Sequence, residues 1–165
     1  MDDLGTRGKT GIEVVEMVGS VPFTVVVGVD GSPPSRRALL WAVTEARLRG
    51  GQVKVVTGWQ FPSAASEFGI LAQDPESLQH ATERLQRRML HGIDLEGVSV
   101  TAEAHQGAAA SVLLDASRTA DLLVVGSHGH GGLTARLLGS VSDKIAHRAS
   151  CPVLIVRPRQ TSPTG

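Results

Sequence analysis

The segment from Gly126 to Gly132 reads Gly-Ser-His-Gly-His-Gly-Gly, a composition that suits the binding of a phosphate. Glycines let the backbone adopt left-handed dihedrals and let a ligand approach without a Cβ in the way. Loops of this kind present several amide N–H groups to an anion. Further along, the residues from Gly139 to Ser142 open, or lie just inside, a predicted helix, whose N-terminus adds N–H donors and partial positive charge. The hydroxyls of Ser140 and Ser142 complete a predicted polyphosphate cradle that needs little lysine.

Two familiar phosphate-binding motifs fit this chain poorly. A P-loop requires Gly-Lys-Ser/Thr, and no such tripeptide occurs. The dinucleotide fingerprint GxGxxG should follow the first strand, whereas this loop follows a later one and has Thr134 where the third glycine would stand. A glycine cluster with a purely structural role remains the alternative to phosphate binding.

Histidines inside the loop offer charge as well as shape. As imidazolium ions, His128 and His130 could neutralise phosphate charge. His147 and Cys151 have helical spacing, but they lack a recognised zinc-ligand pattern, so we expect no metal there. Instead, we expect His147 to be exposed and Cys151 to be a small buried thiol.

A second candidate lies after the first predicted strand, in the turn Val29-Asp30-Gly31-Ser32. Asp30 could simply cap or shape this turn. Because ligands of open parallel sheets sit beyond the carboxyl ends of the strands, Asp30 is also a candidate for ligand contact.

The elements that must position these residues alternate between strand and helix along the chain. The apolar runs are typical of strands covered on both faces, which predicts an open parallel sheet with helices on each side, a Rossmann-like α/β fold with right-handed crossovers. The predicted strands span Phe23–Val29, Val53–Thr57, Val98–His105, Asp121–Gly126 and Val153–Val156, and the predicted helices span Pro33–Arg49, Pro75–His91, Ala108–Arg118 and Leu137–Arg148. The segment from Trp59 to Asp74 is predicted to be a long loop. Trp41 is predicted to be a residue through which its helix packs against the rest of the domain.

Composition indicates one domain, predicted over residues 21–159, between an extension at 1–20 and a frayed tail at 160–165. With 16 basic and 16 acidic residues, no net field attracts nucleic acid. A content of 3% aromatic residues argues against stacking on single strands. A single cysteine, no apolar leader and no membrane-length apolar run favour a cytoplasmic protein without membrane association.

Taken together, the glycine spacing resembles the nucleotide motif of the ATP-binding universal stress protein family: Gly126-x-x-Gly129, nine residues, then Gly139-Ser140. The resemblance extends to the first strand and turn over Val27–Ser32, to the fourth strand, and to the closing helix and strand that end in Cys151–Val156. It covers about Phe23 to Arg157, nearly all of the predicted domain.

This resemblance implies a five-stranded sheet of order 3-2-1-4-5 that binds ATP or a closely related adenine nucleotide. It places Val29 and Asp30 near the adenosine, and the backbone of Thr57 or Gly58 beside the adenine. Gly126 and Gly129 would approach the ribose and phosphates, Gly139, Ser140 and Ser142 would hold the phosphates, and Val141 would border the same loop. His130 completes the implied nucleotide-binding residues. It also implies a homodimer formed through Val153–Val156, and Mg²⁺, if present, held mainly by the phosphates.

Three functions follow from these observations. An ATP-binding regulatory or stress-response protein is favoured, because no carboxylate is evidently placed to activate a nucleophile. The nearest downstream acid, Asp143, is predicted to face solvent on its helix. A slow ATPase or phosphotransferase and a nucleotide-independent interaction module remain the alternatives.

Overall fold

A computed structural model describes residues 21–60, 74–129 and 138–158. Strands and helices alternate along the chain as predicted. The strands are β1 (Thr24–Gly28), β2 (Gln52–Trp59), β3 (Ser99–Gln106), β4 (Leu122–Gly126) and β5 (Val153–Val156), and the helices are α1 (Pro33–Leu48), α2 (Pro75–Leu90), α3 (Ala109–Ala116) and α4 (Ser140–Arg148). A short 3₁₀ turn, Ser117–Thr119, follows α3.

All five strands are parallel and lie in the order β3-β2-β1-β4-β5, which confirms the predicted α/β topology. The chain builds outward from β1 to β2 and β3, then returns to place β4 on the other side of β1. Between β1 and β4 the strand order therefore reverses. At such a switch point the connections leave toward opposite faces of the sheet, which opens a crevice at the carboxyl ends of the strands.

The centre of the sheet is buried on both faces. Every residue of β1, Thr-Val-Val-Val-Gly, is buried, and alternate side chains enter different layers. Val25 and Val27 pack with Leu39 of α1 on one face, while Val26 packs with Ile145 of α4 on the other. This arrangement fixes the ends of β1 and β4 relative to the helices that border the crevice.

Helix α1 begins at a well-formed cap beside the crevice. The hydroxyl oxygen of Ser32 accepts a hydrogen bond from the amide of Ser35 (3.3 Å), and Pro33 occupies the first turn. These features satisfy or remove amide donors that a helix start would leave unpaired. The turn after β1 is thereby held against the start of α1.

Three predicted details are wrong. Helix α4 begins at Ser140 with Gly139 as its cap, and Leu138 is not helical, so the start predicted at Leu137 is too early. Trp59 does not begin a loop, because it pairs with β3 as the last residue of β2. Trp41 is half exposed (50%) on the outer face of α1 rather than packed.

Several predictions concern segments outside the described residues: the extension at 1–20, the tail at 160–165 and most of the Trp59–Asp74 loop. Within the described part, no helix has both the length and the apolar character needed to span a membrane.

One buried polar contact joins α2 to the middle of the sheet. The side-chain amide of Gln86, which is 2% exposed, donates to the hydroxyl of Thr57 (3.1 Å) and to the carbonyl oxygen of Glu103 (2.8 Å). The Thr57 hydroxyl in turn donates to the carbonyl oxygen of Val29 (2.9 Å). This chain of bonds connects α2, β3, β2 and the end of β1.

We expect Gln86→Leu to lower the free energy of unfolding by about 1–3 kcal/mol, because the Glu103 carbonyl loses a buried donor. Gln79→Leu, on the exposed side of the same helix, is the matched control and should change stability by less than about 0.5 kcal/mol. Urea unfolding measures both. Equal effects of the two substitutions would contradict a structural role for the buried amide.

Candidate nucleotide site

A cavity of about 360 Å³ lies at the switch point between β1 and β4. Its volume is within the range of small-molecule sites. Its described lining comes from the ends of β1, β2 and β4 and from the starts of α1, α3 and α4: Gly28, Val29, Asp30, Ser35, Val56, Gly58, Ala109, Leu113, Val125, Gly126, His128, Gly129, Gly139, Ser140, Val141 and Ser142. Nine of the ten residues predicted for the site, which come from separate parts of the chain, thus border one cavity. The tenth, His130, lies outside the described residues.

The turn after β1 holds Asp30 at one wall of the cavity. One carboxylate oxygen, Oδ1, accepts from the amide of Ser32 (2.9 Å), and the Asp30 amide donates to the hydroxyl of Ser35 (3.4 Å). The side chain is exposed, and its other oxygen, Oδ2, lies against Gly129 across the switch point. Asp30 therefore serves as a turn residue and also borders the cavity.

Across the cavity, the two halves of the glycine motif are joined through the backbone of Ser127. The carbonyl oxygen of Ser127 accepts from the amide of Gly139 (2.8 Å) and from the hydroxyl of Ser142 (2.8 Å). The Ser127 amide donates to the carbonyl oxygen of Val156 on β5 (3.0 Å). These bonds place the loop that follows β4 directly against the start of α4.

The two predicted phosphate-binding serines differ in their surroundings. The hydroxyl proton of Ser142, which is 2% exposed, is shared between the carbonyl oxygens of Ser127 and Gly139 (2.8 and 3.0 Å). Because a hydroxyl has one proton to donate, Ser142 acts in this structure as a brace for the loop. Ser140, by contrast, is exposed and lines the cavity.

The glycines act through close packing rather than through unusual dihedrals. Among the described residues, positive φ angles occur only at glycines 31, 50, 92, 97 and 107. Gly126 and Gly129 therefore do not use the left-handed dihedrals that glycine allows, and Gly131 and Gly132 lie outside the described residues. A Cβ on Gly126 would lie 2.8 Å from the carbonyl carbon of Pro34, and one on Gly58 would lie 2.8 Å from the Cα of Ala109. At these positions, hydrogen is the only side chain that fits.

The second strand contributes one of its two candidate residues to the lining. Gly58 borders the cavity, whereas Thr57 points into the layer between the sheet and α2 and is 8% exposed. Of the two residues predicted to lie beside the base, Gly58 is therefore the one that borders the cavity. Val29, although 4% exposed, lines the cavity at the end of β1.

The electrostatics of the cavity come mostly from the backbone. Neither Gly139 at the start of α4 nor Ala108 at the start of α3 provides a side-chain cap. The first amides of both helices are thus left with their N–H groups and partial positive charge at the cavity edge. Among the described lining residues, only Asp30 and His128 are ionisable. This arrangement can hold an anionic group through N–H donors.

A metal site is not evident in the part of the chain that the structure describes, where no group of three or more potential ligands occurs. His147 is exposed on α4, where its Nδ1 contacts the carbonyl oxygen of Asp143 (2.9 Å). Cys151 is half-buried rather than fully buried. Burial, with a smaller contribution from the charge of Asp121, raises the pKa of its thiol.

A second cavity, of about 290 Å³, lies between β3 and α3. Glu103 on its wall bonds to Nζ of Lys54 (3.1 Å) and to Nε2 of His105 (3.0 Å). Asp115 of α3 also contributes to the lining. These residues match no motif identified in the sequence.

Comparison with known proteins identifies the family to which this chain, with its first cavity, belongs. The model of the universal stress protein family matches residues 23–157. This chain belongs to the universal stress protein family. A universal stress protein of Mycolicibacterium smegmatis is 34% identical over 142 residues, 81% of this chain and 48% of the relative. One from Mycobacterium tuberculosis H37Rv is 37% identical over 138 residues, 81% of this chain and 45% of the relative. The chain thus spans about half the length of these curated relatives.

Solved structures agree with the topology. A universal stress protein crystallised in complex with cAMP is 31% identical, with a TM-score of 0.53, and the match covers 84% of this chain and 98% of that one. A universal stress protein of Lactobacillus plantarum is 18% identical with a TM-score of 0.65, and the match covers 84% of this chain and all of that one, which supports the fold alone.

Sequence reasoning missed the apolar side of the cavity. Ala109 and Leu113 of α3 and Val56 of β2 line it, although no motif marks them. The helical spacing of Ala109 and Leu113 places them on one face, and that face could have been assigned to the crevice. Which end of α3 borders the site depends on packing that the pattern does not encode.

Two alanine substitutions should separate packing glycines from ligand-facing ones. We expect Gly126→Ala to lower the free energy of unfolding by about 1–3 kcal/mol, because its Cβ meets backbone atoms of Pro34. Gly129→Ala should cost less than about 1 kcal/mol, because its Cβ meets the end of one exposed side chain, Asp30, rather than backbone. Urea unfolding of both variants gives the comparison. A loss at Gly129 equal to that at Gly126 would be inconsistent with this difference in packing.

Proposed function

We propose that this chain binds an adenine nucleotide, with ATP as the first candidate, in the cavity between β1 and β4, and that it acts as a nucleotide-responsive regulatory protein. The observation that carries the proposal is the junction of Gly126 and Gly129 with the start of α4. Two backbone segments that can each donate N–H groups are joined by the Ser127 carbonyl on one side of a single cavity.

The remaining walls suit an adenosine. The apolar surfaces of Val56, Ala109 and Leu113 can contact the faces of a planar base. Asp30 can accept hydrogen bonds from ribose hydroxyls, since an ionised carboxylate is an acceptor only. The phosphates would then lie toward Gly129, Gly139 and Ser140, where the N–H donors of α4 favour an anion.

A cyclic adenine nucleotide is the second candidate, because the 31%-identical family member was solved with cAMP. The two candidates differ in charge and extent at the phosphate end. A polyphosphate would use both halves of the glycine motif, whereas a cyclic monophosphate needs only one group of donors. Comparing the affinities for ATP and cAMP therefore shows whether one or both halves of the glycine motif contact the phosphates.

Isothermal titration of the full chain with ATP, AMP and cAMP tests the proposal. We expect binding of at least one of them, and Gly129→Val to weaken it by more than about tenfold because the new side chain fills space at the cavity wall. Thr101→Val, an isosteric change on the exposed face of β3, is the control and should bind like the wild type. If none of the three binds at micromolar concentrations, or if the Gly129 variant retains full affinity, the proposal is wrong.

Among the described residues around the cavity no catalytic base is evident, which favours binding over turnover. Asp143, the nearest acid after the loop, is exposed on α4, and Asp30 is engaged in its turn. Slow hydrolysis and a nucleotide-independent interaction role stay as alternatives, which the titration and a single-turnover assay with labelled ATP distinguish. Magnesium held through the phosphates and a cytoplasmic location likewise stay predictions.

We also propose a homodimer formed through β5, Val153–Val156, which is an edge of the sheet. Backbone groups on its outer side can pair with the same strand of a second copy. The exposed apolar residues Leu40, Trp41 and Leu48 of α1 offer a competing surface.

Light scattering after size exclusion should give twice the chain mass for the wild type. Trp41→Lys, which alters the α1 surface, should leave that mass unchanged. A monomeric wild type, or a dimer lost on this substitution, would contradict the assignment to β5.

A further inference from the structure

We infer that His128 is a specificity-determining residue of the proposed nucleotide site: its charge state sets how strongly the cavity prefers a polyphosphate over a singly charged phosphodiester. This inference rests on the proposed function and names the side chain, His128, that responds to the charge of the ligand. It depends on the pairing of His128 with Ser127 and on the shortage of other charges in the described lining.

The imidazole of His128 is anchored at one nitrogen. Its Nδ1 lies 2.9 Å from the hydroxyl oxygen of Ser127, and Ser127 is 4% exposed. That hydroxyl has no other hydrogen-bond partner in the part of the chain that is described. Its proton is therefore best used by donating to Nδ1, because a buried hydroxyl donor without an acceptor is costly.

This contact fixes the protonation pattern of the ring. When neutral His128 accepts from Ser127 at Nδ1, its proton must be on Nε2. When His128 is protonated, Nδ1–H donates to the Ser127 oxygen, the hydroxyl proton loses the ring as its acceptor, and Nε2 still carries a proton. The gain from a bound polyphosphate must exceed the cost of that lost acceptor. The Nε2 group is thus a donor in both states, and only the charge of the ring changes with pH.

The position of the ring connects it with the phosphate end of the cavity. His128 is half-buried and lines the cavity, and its Cα would lie 3.1 Å from a Cβ built on Gly139, the cap of α4. Because Nδ1 is held by a buried partner, Nε2 is the ring nitrogen left to contact a ligand in the cavity that His128 lines. An anion bound at the start of α4 would thus lie near the His128 ring, a donor that can be neutral or positively charged.

Among the described residues, few other charges would mask this effect. From the turn after β1, the cavity is faced by the carboxylate of Asp30. From α4, the nearest ionisable groups are Asp143 and Lys144, both exposed to solvent, where their influence is screened. Beyond β5, the exposed Arg157 is the corresponding group. With Asp30 ionised, the ionisable groups of the described lining sum to about −1 with neutral His128 and to zero with imidazolium.

A highly charged triphosphate should gain more from the added positive charge than a singly charged cyclic phosphodiester. The protonated ring should therefore strengthen the binding of ATP more than the binding of cAMP. The terminal phosphate of ATP also titrates in the pH range in which histidine does. Free ATP titrates identically in every experiment, so the difference between wild type and variant reports only what the protein contributes.

The test is the affinity of the full chain for ATP and cAMP, measured by isothermal titration between about pH 5.5 and about pH 8.5. Across this pH range, the ratio of ATP affinity to cAMP affinity should fall about tenfold more for the wild type than for His128→Gln. A tenfold difference is the effect expected from the loss of one charge-assisted hydrogen bond. His147→Gln, a change at an exposed histidine of α4, is the matched control and should retain the wild-type profile.

A His128→Gln profile identical to that of the wild type would overturn the inference while leaving nucleotide binding intact. Failure of every variant and the wild type to bind would instead overturn the proposed function. The ring itself provides a second readout that needs no ligand. Nitrogen-15 spectra of the histidines should show the Nε2–H tautomer for neutral His128, with a smaller excess of that tautomer in Ser127→Ala. An Nδ1–H tautomer in the wild type would contradict the pairing.

Discussion

The carbonyl oxygen of Ser127 accepts hydrogen bonds from the amide of Gly139 and from the hydroxyl of Ser142, both at 2.8 Å. Through this one oxygen, the loop that leaves β4 is attached to the start of α4, although the two are separated along the chain. The Ser127 amide is bonded to β5 at the same time. The arrangement of the proposed phosphate cradle therefore depends on a backbone group, and Ser142 contributes by bracing it.

The sheet supplies the second constraint. Because β1 and β4 are neighbours at the point where the strand order reverses, the turn with Asp30 and the loop with Gly129 meet across one crevice. Such close approach requires small residues at the crossings. Gly126 against Pro34 and Gly58 against Ala109 show that glycine is needed here for space, with ordinary dihedrals.

Alternation of apolar runs and amphipathic stretches was enough to predict the fold, and the glycine spacing resembled one family closely enough to predict its strand order. These signals are local in sequence. The limits of α4 and β2 were harder, because they depend on which residue can cap a helix or pair with a neighbouring strand. Trp41 was misjudged for a related reason: helical periodicity gives a face, but whether another element covers that face is decided by the tertiary arrangement.

The site was predicted in the same uneven way. Motif glycines and Asp30 are visible in the sequence because their chemistry is unusual for their position. The apolar wall formed by Ala109 and Leu113 is not, since such residues occur in every core. The different roles of Ser140 and Ser142 could not be predicted either, because only the fold shows that the hydroxyl of Ser142 is turned toward two carbonyl oxygens.

The most direct measurement of the central claim is a map of amide chemical-shift changes on addition of ATP to the nitrogen-15-labelled chain. We expect the largest changes to cluster at the switch point, at Gly58, Ala109, Gly126 to Gly129 and Gly139 to Val141. Amides around the second cavity, near Lys54 and Asp115, should change little. An unperturbed spectrum at saturating ATP, or changes centred on that second cavity, would contradict the assignment of the nucleotide site.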